Sequence, residues 1–264
     1  MSMSTADRTQ PTEQPALFDR VALVTGSSSG IGRGVALAMA AAGADVIINH
    51  PTAAEQSAAE AVAEEIRGLG RRALIVQADV SAVDDVERMV AESMAAFGRI
   101  DILVNNAGIA IAGAAHEMPV DLWDRVIAVH LRGTFLVTRA VLPQMYARNH
   151  GRIINTASQL AYKGAPGFAA YTAAKGGILS FTRTVALEIG ARDITINCIA
   201  PGATHTPILD DVPPALLEEI RKAIPLGRIA EVADIAPSYV FLASEAGRHY
   251  QGQCLSPNGG DVFL

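Results

Sequence analysis

The sequence has little cysteine and no surplus of basic residues, and each shortage excludes a class of protein. Only two of its 264 residues are cysteines. Cys198 and Cys254 are far apart and have no companions at metal-ligand spacing, so no metal site is predicted. Two such thiols fit a reducing compartment, and we expect a cytoplasmic protein. The net charge of −6, without any block of lysines and arginines, argues against a nucleic-acid-binding protein.

Long apolar runs are also absent. No hydrophobic stretch approaches the roughly 20 residues of a membrane helix, because Gly, Asp or Arg interrupts each one, so no membrane partner is expected. Residues 1–16 are polar and lack the apolar core of a secretory signal, which predicts a flexible N-terminal tail. Half of all residues are hydrophobic, enough for residues 17–264 to form one domain with a large core.

Short apolar segments alternate with helical segments along the chain. The strand segments are residues 21–24, 46–48, 73–76, 102–104, 152–155 and 195–199. Strands that are apolar on both faces and separated by helices are typical of a parallel sheet covered by helices on both sides. The pattern predicts an α/β, Rossmann-like doubly wound fold in a single domain. Ligands are then expected beyond the carboxyl ends of the strands.

A glycine-rich turn joins the first strand to the first helix, with the sequence Thr25-Gly26-Ser27-Ser28-Ser29-Gly30-Ile31-Gly32. Its glycines permit a tight turn and close approach to a pyrophosphate, whose charge the helix start favours. The spacing G-x-x-x-G-x-G differs from the common G-x-G-x-x-G fingerprint, and such a turn can be purely structural. Its place after the first strand favours nucleotide binding.

Tyr171 and Lys175 are four residues apart just before a helical stretch at residues 176–187. On a helix this spacing puts both side chains on one face. An ammonium beside a phenol favours the phenolate and lowers the tyrosine pKa, as an acid or base requires. Ser158 follows a strand and could bind a substrate oxygen, although a serine there is more often a cap or turn residue.

Together these motifs resemble the signatures of the short-chain dehydrogenase/reductase family. Asn105-Asn106-Ala107-Gly108 and Pro201-Gly202 complete the set, in the family's order and separations, from about Phe18 onward. The resemblance implies an NAD(P)-dependent oxidoreductase that moves a hydride between nicotinamide and a small-molecule carbonyl or alcohol. It makes Tyr171 the proton donor or acceptor, Lys175 the residue that binds the nicotinamide ribose, and Ser158 the residue that positions the reacting oxygen.

The same resemblance implies a dinucleotide site. Its residues would be Gly26, Ser28, Ser29, Gly30, Ile31, Gly32, Asn49, His50, Asp79, Val80, Asn106, Ala107, Gly108, Tyr171, Lys175, Pro201, Gly202 and Thr206. The second strand ends in Asn49-His50-Pro51-Thr52, without the acid that binds the ribose hydroxyls in NAD users. This favours NADP. No arginine stands there to hold a phosphate, so NAD stays the alternative.

The sequence departs from the family at two places. Val129-His130-Leu131 replaces a stretch in which many relatives carry an asparagine, whose main chain holds a water that relays protons. His130 either preserves that relay or adds an imidazole that titrates near neutrality. Asn258 stands in Ser256-Pro257-Asn258-Gly259-Gly260, where relatives often have Asp-Gly-Gly. This second change is expected to affect only local contacts of the C-terminal region.

The sequence specifies the substrate less closely than it specifies the cofactor site. Candidate contacts are Ser158, Gln159, Tyr171 and His205, and polar groups around Gln159, Tyr162 and His205 favour a sugar or polyol. A 3-oxoacyl thioester is the alternative, since the stretch that contains Ile208, Leu209, Leu216 and Leu217 could supply an apolar groove. A non-catalytic dinucleotide-binding protein is a third possibility. The resemblance also implies a homotetramer, formed through helices around residues 122–145 and 171–189.

Overall fold

The computed structural model describes residues 14–210 and 212–263. Its strands are β1 (Val21–Val24), β2 (Asp45–His50), β3 (Ala73–Gln77), β4 (Ile102–Asn105), β5 (Gly151–Thr156), β6 (Ile194–Ile199) and β7 (Cys254–Leu255). They form one parallel sheet in the order β3-β2-β1-β4-β5-β6-β7. The strand order reverses between β1 and β4, which is the switch point of a doubly wound sheet. The predicted fold class is confirmed.

Helices cover both faces of this sheet. They are α1 (Gly30–Ala41), α2 (Gln56–Gly68), α3 (Val83–Phe97), α4 (Val120–Ile127), α5 (Gly133–Arg148), α6 (Leu160–Lys163), α7 (Ala169–Ile189), α8 (Pro214–Ala223) and α9 (Val232–Ala243). One core cluster packs α1, α2 and α9 on the sheet, and a second packs α3, α5 and α7 on the opposite face. Ala22 of β1 belongs to the first cluster and Leu23 to the second, so alternate residues of the strand are buried on both sides.

The structure differs from the predicted elements in two places, at β7 and at the start of α7. Strand β7 was not predicted, because two residues are too short for an apolar run to be recognised. Helix α7 begins at Ala169 rather than near residue 176, so Tyr171 lies inside it. The insertion before α9 contains a 3-10 turn, Pro207–Leu209, and helix α8. Of the tail predicted at residues 1–16, residues 1–13 lie outside the described residues.

The segment from α4 to α5 is continuous, because a π-helical turn, Ala128–Arg132, joins the two helices. The segment Val120–Arg148 is long and apolar enough to cross a membrane by length and composition. Half of its most apolar window is nevertheless buried inside the protein, where α5 packs on β4, β5 and α3. A core helix of a globular domain has the same composition, and that is the role of this one.

A buried carboxylate ties the start of β1 to β4. Asp101 precedes β4 and accepts a hydrogen bond from the main-chain N–H of Val21 at 2.9 Å. Two partly exposed guanidinium groups neutralise it, Arg148 at 2.7 Å and Arg99 at 3.0 Å. Because the carboxyl is almost completely buried, the fold depends on all three partners.

Candidate active site

A cleft opens beyond the carboxyl ends of β1, β2 and β4, at the switch point of the sheet. Most residues that the sequence assigned to the dinucleotide line it. They are Gly26, Ser28, Ser29, Gly30, Ile31, Gly32, Asn49, Asp79, Val80, Asn106, Ala107, Gly108, Tyr171, Lys175 and Thr206. The lining comes from the ends of several strands and from α1 and α7, so only the folded sheet assembles it.

The glycine-rich turn has the geometry that a pyrophosphate needs. Gly26 and Gly30 have φ angles of 59° and 55°, in the left-handed region that favours glycine. A Cβ on Gly32 would lie 2.2 Å from the carbonyl oxygen of Gly26, so that position excludes any side chain. No acidic residue occupies the first turn of α1, whose free amides can therefore bind an anion. The cradle fits the dinucleotide that the sequence predicted.

The cleft residues at and after the end of β2 are arranged differently from the prediction. Asn49 lines the cleft, but its side chain is already engaged: Oδ1 accepts from the Gly26 N–H at 3.1 Å, and Nδ2 donates to the Ala78 carbonyl at 2.9 Å. Next to it Glu55 lines the cleft, and its carboxylate accepts a hydrogen bond from the Ser28 hydroxyl at 2.7 Å. The sequence analysis missed Glu55 because it follows the strand by a turn, not directly.

Six predicted site residues are not part of the cleft lining, and two of them, Ser158 and Gln159, lie just after β5. The ring of His50 is buried, with Nδ1 2.9 Å from the carbonyl oxygen of Thr52. Pro201 is buried, and Gly202 packs on the turn after β7, where a Cβ on Gly202 would be 2.8 Å from the Cα of Asn258. His205 lies in a separate groove beside α8. The structure does not bring these residues to the lining of the cleft.

Ser158, Tyr171 and Lys175 come together at the other end of the cleft. Ser158 follows β5, and its hydroxyl lies near enough to the phenol of Tyr171 on α7 to act on the pKa of that phenol. The Ser158 Oγ accepts from the main-chain N–H of Leu160 at 3.1 Å. Lys175 is one turn further along α7, and its ammonium lies 5.6 Å from the centre of the Tyr171 ring. The Lys175 Nζ donates to the main-chain carbonyl of Thr156 at 2.6 Å. The spacing along the helix therefore does place the tyrosine and the lysine on one face.

The ionisation of this group differs from the expectation. Burial raises the pKa of Tyr171, although the nearby Ser158 hydroxyl acts in the opposite direction. Burial lowers the pKa of Lys175 to about 7. Near neutral pH the phenol is protonated, so the resting site holds a proton that it can donate.

His130 lies in the π-helical turn and packs against the active tyrosine. Its ring meets the Tyr171 ring edge-on, with 5.2 Å between centres, and its Nε2 is 2.8 Å from the main-chain oxygen of Ile109. Burial, together with the charge of Lys175, lowers the pKa of His130 to about 3. The imidazole therefore stays neutral and does not titrate near neutrality. The carbonyl of His130 accepts from the Thr134 hydroxyl at 2.8 Å.

The second departure from the family also has a structural reason. The side-chain amide of Asn258 donates to the main-chain carbonyl of Val262 at 2.7 Å, while its Oδ1 accepts from the Gly260 N–H at 2.8 Å. An aspartate in the same position could not donate the first of these bonds when ionised. Asn258 therefore stabilises the local turn after β7.

Apolar side chains contribute part of the lining of this cleft. Ile109, Pro207 and Ile208 line the cleft together with Tyr171. The polar substrate candidates are engaged elsewhere: Gln159 donates to Asp261 at 2.7 Å, and His205 lies in the groove beside α8. Neither of these two polar candidates therefore belongs to the lining of the cleft.

Comparison with known proteins gives consistent matches along nearly the whole chain. Residues 26–261 match the family model described as enoyl-(acyl carrier protein) reductase. The chain is 43% identical over 242 residues to (2S)-[(R)-hydroxy(phenyl)methyl]succinyl-CoA dehydrogenase subunit BbsD of Thauera aromatica, covering 92% of this chain and 96% of that protein. It is 40% identical over 243 residues to a 3-oxoacyl-[acyl-carrier-protein] reductase of Staphylococcus epidermidis, covering 92% and 99%.

A solved structure agrees. A blue fluorescent protein from a metagenomic library, in complex with NADPH, superposes with a TM-score of 0.88 at 35% identity and covers 94% of this chain and 100% of its own. The matched span includes the glycine cradle, Ser158, Tyr171 and Lys175. The chain belongs to the short-chain dehydrogenase/reductase family of NAD(P)-dependent oxidoreductases.

Proposed function

We propose that this protein is a cytoplasmic, NADP(H)-dependent oxidoreductase of 3-oxoacyl or 3-hydroxyacyl thioesters. The observation that carries the proposal is that Ile109, Pro207 and Ile208 give apolar surface to the same cleft that Tyr171 lines. An acyl chain needs such a surface, whereas a sugar needs several hydrogen-bonding groups. Two relatives support the same class, since one is named a 3-oxoacyl-[acyl-carrier-protein] reductase and the other a [hydroxy(phenyl)methyl]succinyl-CoA dehydrogenase subunit.

The proposed roles of the catalytic residues follow from their contacts. The bound nicotinamide supplies or accepts the hydride. Tyr171, protonated at neutral pH, donates a proton to the carbonyl oxygen during reduction and takes it back during oxidation. Ser158, whose hydroxyl lies near that phenol, holds the reacting oxygen against it. Lys175 lines the cleft next to Tyr171, where its ammonium can bind ribose hydroxyls.

NADP(H) is the cofactor that we propose as preferred. The strand β2 ends without an acid, and the family member from the metagenomic library is described in complex with NADPH. Glu55 works in the opposite direction, because its carboxylate on the cleft wall would repel an additional phosphate. Use of NAD(H) is therefore the expected second activity.

Oxidation of a sugar or polyol is the alternative substrate class. It relied on Gln159, Tyr162 and His205 as partners for hydroxyl groups. Gln159 donates a hydrogen bond to Asp261, and Tyr162 interacts with Cys254. His205 lies in the groove beside α8. A sugar would need these side chains to leave their partners, which makes the thioester the better-supported substrate.

The test follows the absorbance of reduced nicotinamide with NADP(H) and NAD(H) in parallel. Substrates are acetoacetyl-CoA, an aromatic 3-oxoacyl thioester, glucose and rhamnose. We expect NADPH oxidation with a thioester and none with sugars, and Tyr171→Phe should lose turnover by orders of magnitude while it keeps its cofactor affinity. Sugar-dependent reduction of NADP would overturn the thioester assignment. Cofactor binding without turnover on any substrate would favour a non-catalytic protein.

A homotetramer is proposed as the assembly. Helices α4, α5 and α7 carry exposed apolar side chains, namely Leu122, Trp123, Phe135 and Leu187. Such side chains on two neighbouring helical segments support an interface between copies of the chain. Light scattering on a sizing column measures the subunit number, and a monomeric mass at micromolar concentration would exclude the tetramer.

A further inference from the structure

Two thiols that are far apart in sequence lie side by side at the edge of the sheet. Cys198 is in β6 and Cys254 is in β7, and the parallel pairing of these strands places the two residues directly opposite each other. Paired residues of neighbouring strands project from the same face, and strands lie about 4.8 Å apart. That spacing falls within the range of Cα separations that a disulfide spans. The two thiols are close enough for each to shift the pKa of the other.

The two thiols differ in their access to solvent. Cys198 is buried, with its Sγ 3.1 Å from the hydroxyl oxygen of Thr182 on α7. Cys254 is only half-buried and packs on the outside of the cluster that contains Cys198. Its thiol also contacts the Tyr162 phenol and lies near the Arg183 guanidinium. An oxidant from solvent therefore meets Cys254 first, and Cys198 is in place behind it.

The pKa shifts of the two thiols also indicate that Cys254 reacts before Cys198. The neighbouring Cys198 thiol, with smaller contributions from Tyr162 and Arg183, lowers the pKa of Cys254 although burial opposes it. The pKa of Cys198 is raised by the Cys254 thiol and by burial. Thiolates are the nucleophilic form of cysteine, so Cys254 is the attacking thiol and Cys198 the resolving thiol.

We propose that Cys198 and Cys254 form a peroxide-sensitive dithiol whose oxidation to an intramolecular disulfide slows the enzyme. The Cys254 thiolate attacks one oxygen of hydrogen peroxide, the O–O bond breaks, and a sulfenic acid and water result after proton transfer. The sulfur of Cys198 then attacks the Cys254 sulfur and expels the sulfenic oxygen as a second water. The two thiols lose two electrons and two protons in total, and the peroxide is reduced to two waters.

The dithiol is linked to the active site through two contacts of Cys198. In the sheet Cys198 lies opposite Asn155 of β5, and the next residue of β5 is Thr156, whose carbonyl holds the Lys175 ammonium. Thr182, which contacts the Cys198 sulfur, lies two turns along α7 from Lys175 and accepts from the Asn155 amide at 2.9 Å. Turning the Cys198 sulfur toward Cys254 removes its contact with Thr182. We expect the seating of α7 against β5, and with it the position of Lys175, to change.

The experiment treats the full-length protein with a small excess of hydrogen peroxide and then alkylates the remaining thiols. Intact mass and peptide mapping should show loss of both alkylation sites, loss of two hydrogens and a peptide that joins Cys198 to Cys254. Turnover on whichever carbonyl substrate the enzyme accepts should fall and should return with dithiothreitol. Cys254→Ser, with Cys254→Ala as a second variant, should keep Cys198 reduced and turnover insensitive to peroxide.

Three outcomes would overturn the proposal. They are oxygen addition to Cys254 without a cross-link, a disulfide between two chains, and an intramolecular disulfide that leaves turnover unchanged. Mass and thiol count need no substrate, so they remain decisive even if the proposed thioester specificity is wrong.

Discussion

Lys175 is a buried cation without an acidic partner among the residues that the structure describes, and this makes its replacement informative. Burial lowers the pKa of its ammonium from 10.5 to about 7. One pKa unit corresponds to about 1.4 kcal/mol, so holding the protonated lysine in the fold lowers the free energy of unfolding by about 5 kcal/mol. Lys175→Met keeps the apolar stem and removes the charge. We expect this variant to lose nearly all turnover and yet to be more stable in acid.

The gain in stability expected for Lys175→Met becomes smaller as the pH rises. The unfolded chain keeps its lysine protonated up to the pKa of 10.5, whereas the folded chain releases the proton above about 7. Wild-type stability therefore contains the full penalty below pH 7 and recovers as pH rises from there. In the variant the Thr156 carbonyl loses its hydrogen-bond donor. This loss costs about 2 kcal/mol and offsets part of the stability gained by removing the buried charge. The net gain is about 3 kcal/mol near pH 6 and about zero near pH 9.

Thermal unfolding of the cofactor-free protein, followed by circular dichroism, measures this difference. A gain of about 3 kcal/mol corresponds to a Tm rise of about 5 to 10 °C near pH 6. Lys222→Met is the matched control, because Lys222 is exposed on α8 and its removal should leave the pH dependence unchanged. A Lys175→Met protein that is less stable than wild type near pH 6, or a difference that persists at pH 9, would refute the reasoning.

Three further predictions concern other residues. Glu55→Gln removes the carboxylate from the cleft wall and should improve NADP(H) affinity over NAD(H) by roughly fivefold, about 1 kcal/mol; a fluorescence titration that shows equal changes for both cofactors would contradict this. His130→Asn should leave the acid limb of the pH–turnover profile in place, since the imidazole has a pKa of about 3 and stays neutral; a displaced limb would show that His130 titrates. Asp101→Asn should lower the free energy of unfolding, measured in urea, by about 3 kcal/mol, because Arg99 and Arg148 lose their buried partner. Asp121→Asn, at an exposed position, is its control. Equal stability of the two variants would contradict the stabilising role of Asp101.

Much of the fold was predictable because its signals are local. The strands are apolar on both faces, since helices bury both sides of a parallel sheet, and this leaves continuous hydrophobic runs in the sequence. Strand β7 escaped prediction because its two residues form no such run, and it exists only because β6 offers an edge to pair with. The π-helical turn at His130 likewise has no periodic signal of its own.

The candidate site was predicted only in part. Asn49 was expected to bind the cofactor, but the fold also uses its side chain to join the glycine-rich turn to the end of β3. Glu55, which did not stand out in the sequence, lines the cleft because the chain turns back after β2. His205 follows the Pro201-Gly202 turn closely in sequence, yet it lies beside α8. Side-chain direction after a turn depends on contacts with distant segments.

The sequence by itself determined the features that depend on neighbours along the chain. Helical spacing puts Tyr171 and Lys175 on one face, and the glycines of the first turn supply backbone angles that other residues rarely adopt. Only the tertiary structure decided the protonation of Tyr171 and Lys175, the neutrality of His130, and the meeting of Cys198 with Cys254. Those properties arise from burial and from contacts between residues remote in sequence, which no local pattern encodes.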